Sequence, residues 1–119
     1  MEPIDLADKL SQFDEYWSPR IIGEVNDSYI KLAKLSGEFV WHSHEQEDEL
    51  FLVVKGRLTI RFRDGDVHLD EGQMVIVPSG VEHQPVAASE AHVLIVEPRS
   101  TVNTGNVVDE RTVVDLQRI

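Results

Sequence analysis

At 119 residues the chain is long enough to bury one core and too short for two. With 41% hydrophobic and 28% charged residues it reads as a globular protein, and no apolar run is long enough to cross a bilayer. A net charge of −11 with no Lys/Arg cluster argues against nucleic acid or an anionic membrane as partner; the lack of cysteine excludes disulfides, thiolate metal sites and thiol nucleophiles.

The acidic start MEPIDLADKL has no basic segment followed by an apolar one, so it is not read as a signal peptide. With a cysteine-free composition, the expectation is a cytoplasmic protein. Asp5 to Trp17 is expected to be a helix: Leu6, Leu10, Phe13 and Trp17 fall at helical spacing, Asp5 can cap the start, and Pro19 follows the end. Residues 1–20 are therefore expected to pack as a helical arm on a single domain formed by residues 21–119.

From Ile21 onward the chain changes to short, β-branched segments. Strands are expected at Ile21–Val25, Ser28–Leu35, Glu38–His42, Leu50–Val54, Leu58–Arg63, Asp66–Leu69, Met74–Val77, Gln84–Ala87 and His92–Glu97. Turn signals separate them, among them Asn26-Asp27, Lys55-Gly56, Asp64-Gly65 and Ser79-Gly80. Regular spacing with no helices between implies an antiparallel sandwich or barrel. The tail from Arg99 is looser, with a turn at Asn103–Asn106, and Val113, Val114, Leu116 and Ile119 free to pack back.

The chemistry sits in WHSHEQEDELFLVVKG, from Trp41 to Gly56. On a strand His42 and His44 project to one face, and Val40 is expected to join them inside. Glu49 shares parity with Phe51 and Val53, so it too points inward. Farther on, an apolar strand ends in Pro78-Ser79-Gly80 and delivers His83. Neutral imidazoles and a carboxylate are good ligands for divalent first-row metals. Glu45, Glu47 and Asp48 read as a solvated turn, Glu45 being the best spare ligand. His68 reads as an exposed hairpin residue and His92 as core or rim packing. Arg57, Arg61 and Arg63 alternate with Leu58, Ile60 and Phe62 and should face outward. Trp41 has the opposite parity to the ligands and should lie on a partner surface.

Gly37, His42, His44, Glu49 and Gly56 follow one another as in the first cupin motif, and Gly72, Pro78, Gly80 and His83 as in the second. The chain thus resembles a cupin, and the 15 residues between Gly56 and Gly72 match the short spacer of small single-domain members. Four residues rather than five separate Gly37 from His42, and Ala87 stands where an asparagine often ends the second motif. Neither departure removes a ligand. The wider pattern is similar to small bacterial cupins labelled mannose-6-phosphate isomerase-like, a label that carries fold rather than activity.

The resemblance implies an all-β fold, a jelly-roll β-barrel with a short N-terminal helix, in a homodimer. It also implies a divalent first-row transition metal (Fe, Mn, Ni, Zn or Cu) held by His42, His44, Glu49 and His83. Such a site leaves metal positions open for a small oxygen-rich metabolite, in oxygenase, isomerase or lyase chemistry. The alternative is a non-enzymatic module that binds a small molecule or a metal.

Overall fold

The computed structural model describes all residues from Met1 to Ile119. Its elements are α1 (Leu6–Leu10), β1 (Arg20–Val25), β2 (Ser28–Glu38), β3 (Glu49–Lys55), β4 (Leu58–Phe62), β5 (Gly65–Leu69), β6 (Met74–Val77) and β7 (His83–Pro98). All pairings between strands are antiparallel. The long strand β7 is the spine. One of its edges pairs with β2 from Ser28–Pro98 to Glu38–Val86. Its other edge is shared, with β3 opposite residues 92–96 and β4 opposite residues 83–86. β1 and β6 close the ends of one half, and β5 extends β4 in the other. The result is a jelly-roll barrel. No helix is long and apolar enough to cross a membrane.

Alternation places the core. Phe51 and Val53 from β3, Leu58 and Ile60 from β4, and Ala91, Val93 and Ile95 from β7 face inward and are at most 5% exposed. Ala33 and Leu35 of β2 meet them there. The other face of β2 is covered as well: Leu32 packs with Leu10, Phe13 and Ile22 in a second, smaller cluster. Burial on both faces explains why β2 reads as a nearly continuous buried run from Lys31 to Leu35.

Three local expectations change. The helix ends at Leu10, not Trp17. Asp5 does cap it, accepting from the Asp8 N–H at 3.1 Å, but five residues form little more than one turn, too few to hold a helix against tertiary pairing. Beyond it the chain runs along β2 instead. The Trp17 N–H donates to the Lys34 carbonyl (2.9 Å), and Lys34 Nζ donates to the Phe13 carbonyl (2.6 Å). Phe13 and Trp17 thus reach apolar surroundings from an extended strap.

Second, no strand spans Glu38–His42. β2 continues to Glu38, and His42 forms an isolated bridge to His83, each N–H bonding the other's carbonyl at 3.0 and 2.9 Å. Phe39 keeps the inward parity of Ala33 and Leu35, so it rather than Val40 turns inward, and the strand ends before His42. Third, the two strands expected at 84–87 and 92–97 are one continuous strand. In the tail, Ile119 packs on the smaller cluster, whereas Val114 stays exposed.

Candidate metal centre

His42 and His44 lie on the loop between β2 and β3, Glu49 opens β3, and His83 opens β7. The loop is held from several sides. The His44 carbonyl accepts the Gly80 N–H at 2.7 Å, which ties it to the Pro78–Gly80 turn. Gly80 sits at φ +81°, a conformation that side chains resist, and it lets the chain reverse into His83. Ser43 exchanges two bonds with Asn106, its N–H donating to Oδ1 at 2.8 Å and its carbonyl accepting from the Asn106 N–H at 3.0 Å. The tail segment around Gly105 therefore lies against the back of the loop.

All four side chains are buried, and one ligand atom from each lies within 4.8 Å of every other. Glu49 Oε1 is 3.2 Å from His83 Nε2 and 3.4 Å from His44 Nε2. Donors on neighbouring positions of an octahedral ion with bonds of about 2.1 Å stand about 3.0 Å apart, and opposite ones about 4.2 Å. The cluster thus needs only a contraction of roughly half an ångström to hold such an ion.

The tautomers fit the same purpose. Val40 and Val81 carbonyls accept from Nδ1 of His42 and His83, each at 2.9 Å, which turns Nε2 of both rings toward the cluster, where His83 Nε2 meets Glu49 Oε1 at 3.2 Å. Neither ring nitrogen of His44 has a hydrogen-bond partner, although both are buried. An unpartnered buried imidazole is costly, and coordination removes the cost. Burial, and then the neighbouring His83, hold the pKa of His42 down at about 4, so the ring is a neutral donor at physiological pH.

A second carboxyl group, which sequence reasoning passed over, stands beside the first. Leu50 pairs with Val96, which sets Glu97 next to Glu49 across the β3–β7 ladder, both of them buried. Burial and the Glu49 carboxylate push Glu97 well above the usual carboxylate range, against the pull of Lys31. Burial would raise Glu49 too, but His44, His83 and Glu97 outweigh it and keep Glu49 ionised. Lys31 Nζ lies 2.7 Å from Glu97 Oε1 with both side chains almost fully buried. The signal was available: Lys31 shares parity with Ala33 and Leu35, and Glu97 with Val93 and Ile95.

The remaining polar candidates go elsewhere. Glu45 is exposed and meets Ser43 Oγ at 3.3 Å. Glu47 accepts from Ser100 and Asp48 from the Ser79 N–H, so both fasten loops. His68 is exposed and bonds Thr59, while His92 faces outward beside Glu90. Trp41 is half-buried under the Arg63 guanidinium, 3.7 Å from its ring centroid, and Arg63 itself pairs with Glu82. Arg57, Arg61 and Arg63 all lie on the outer surface.

Beside His42 is a cavity of about 40 Å³, lined mainly by Trp17, Leu35, Phe39, Phe51, Pro85 and Ile95. It is apolar and has room for about three water molecules.

A jelly-roll barrel with three histidines and a glutamate converging inside it defines a class of small barrels whose inner side chains could hold a metal. Residues 29–97 match the family described as Cupin domain, and the chain belongs to that family. Among solved structures it is similar to a cupin-2 domain containing protein from Shewanella frigidimarina (49% identity, TM-score 0.79, 80% of this chain and 93% of that one). A Neisseria meningitidis protein is also similar (33% identity, TM-score 0.75, 82% and 99% covered). The Bacillus subtilis protein YdbB is 41% identical over 64 residues, which span 53% of this chain and 57% of YdbB.

Proposed function

We propose that this chain holds one divalent first-row transition metal on His42, His44, Glu49 and His83 and acts as a small metalloenzyme on an oxygen-rich metabolite. The observation that carries the reading is His44, a buried imidazole with no partner inside a ring of three other donors. When bound, the ion would supply Lewis acidity for isomerase or lyase chemistry, or, as Fe or Cu, the redox capacity an oxygenase needs. The chain's own part is to orient the donors and keep the surroundings dry. Val40 and Val81 fix the two rings, Glu49 supplies the one ionised ligand, and the apolar wall keeps water from the His42 side.

A non-enzymatic binder is the second reading, favoured by that same wall, which offers no free proton-transfer group to a bound molecule. Elemental analysis of protein purified without a metal-affinity tag should find about one first-row ion per chain. Protein that carries none, and takes up none on reconstitution, refutes both metal readings. Loaded protein that binds a keto acid, enediol or sugar saturably without converting it favours the binder.

We further infer a homodimer in the cytoplasm. Leu50 and Leu52 of β3 neighbour Ile76 and Met74 of β6, and Leu50 also neighbours Val96. Met74 and Ile76 are 57% and 55% exposed, and no charge interrupts this row. In a chain of net charge −11 such a surface favours a second copy. Residues 1–20 are assigned as the arm and 21–119 as the domain, because Leu10 and Phe13 pack on Ile22 and Leu32.

A further inference from the structure

The barrel interior holds one lysine–glutamate pair that the four-donor site does not use. Lys31 and Glu97 are 1% and 2% exposed, and burying two ionisable groups in an apolar barrel is expensive unless something is gained. Lys31 stands opposite Ile95, so it reaches Glu97 diagonally across the β2–β7 ladder. It engages Oε1 alone. Glu97 Oε2 is buried and has no hydrogen-bond partner, and the β3–β7 register sets the buried Glu49 directly opposite Glu97. Lys31, Glu97 and Glu49 therefore form a row across three strands, ending at the donor that touches His44 and His83.

We propose that Glu97, anchored by Lys31, is a positioning residue that holds the Glu49 carboxylate turned toward His44 and His83. The inference rests on the metal reading above. Without the anchor, Glu49 is free to rotate about its side-chain bonds, and a carboxylate ligand that must be re-oriented on binding costs affinity. Contacts of this outer kind are typically worth 10- to 100-fold in metal affinity.

Three variants test it, with Zn²⁺ as the probe and competition against a chromophoric chelator as the readout. Glu97→Gln keeps the shape, an acceptor for Lys31 and a donor for Glu49, and should bind Zn²⁺ within about threefold of the parent. Glu97→Ala should bind about 10- to 100-fold more weakly. Because a lone buried Lys31 can unfold the barrel, the deciding variant is the double change Lys31→Met with Glu97→Leu. It removes both ionisable groups at similar volume and should melt near the parent temperature. Its Zn²⁺ affinity should still fall about 10- to 100-fold. A folded double variant that binds Zn²⁺ like the parent, or a Glu97→Gln variant as weak as Glu97→Ala, overturns the positioning role and leaves the metal site standing. A parent chain that binds neither Zn²⁺ nor Mn²⁺, Fe²⁺, Ni²⁺ or Cu²⁺ overturns the metal reading and this inference with it.

Discussion

His42 carries the clearest titration signature in the barrel. Its folded pKa is about 4 against 6.5 for an unstrained imidazole, because burial and His83 disfavour its charged form. As pH falls below 6.5 the unfolded chain takes up a proton that folded His42 refuses, so metal-free stability drops between pH 6.5 and 4 and then levels off. The full loss is about 3 kcal/mol. Glu97 acts in the opposite sense, since its raised pKa makes the fold less stable as pH rises above the carboxylate range. The measurement is therefore comparative. Urea unfolding with EDTA at pH 7.5, 5.5 and 4.5 should give a steeper acid loss for the parent than for His42→Gln, and equal slopes refute the account.

The same residues link metal to stability. The four side chains come from separate parts of the chain, so the unfolded state cannot present them together and a metal held by all four would bind the native state selectively. Free metal at a hundredfold above Kd should add about 2.7 kcal/mol. His42→Ala and His83→Ala should lose most of the metal-dependent rise in melting temperature. His68→Ala should keep it, because His68 is exposed and bonds only Thr59. If all three variants respond to metal as the parent does, the cluster is only a polar core.

At the scale of elements, the site depends on segments that are neither helix nor strand. The loop carrying His42 and His44 is braced by the tail, where Gly105 sits at φ +56° against the Ser43 backbone. A Cβ there would lie 2.2 Å from the Ser43 carbonyl oxygen and 3.1 Å from the His42 ring. Gly105→Ala should cost about 2 kcal/mol or more in urea unfolding, through both strain and displacement of the tail. It should also weaken Zn²⁺ binding, since the backing of His42 moves. A variant with parent stability would show that the tail does not press on the loop.

For the molecule as a whole, the proposed dimer rests on the apolar row on β3 and β6. Val54 and Leu94 on the same face are covered by the arm and the C-terminal Ile119, whereas Met74 and Ile76 stay open. Sedimentation at micromolar concentration should give a dimer for the parent and a monomer for Leu52→Glu with Ile76→Glu. A parent that sediments as a monomer refutes the dimer.

The alternation of Phe51, Val53, Leu58 and Ile60, the turn glycines and the His-x-His, Glu and His spacing are local facts, and from them the barrel and the four side chains that converge in it could be read. Period-two patterning dictates which face of a strand is buried wherever a strand is regular. It fails where the strand is not. β2 ends at Glu38 with Phe39 still in phase with Ala33 and Leu35, so Phe39 and not Val40 lies inside, and His42 and His44 converge from a loop rather than by strand parity. The arm kept its helical spacing in sequence but became a strap from Ser11 onward, because hydrogen bonds to β2 compete with those of a short helix. Lys31 and Glu97 carry inward parity, yet nothing local shows that each will find the other across a ladder 66 residues apart. That pairing, and the placing of Glu97 opposite Glu49, exists only once β2, β7 and β3 lie side by side.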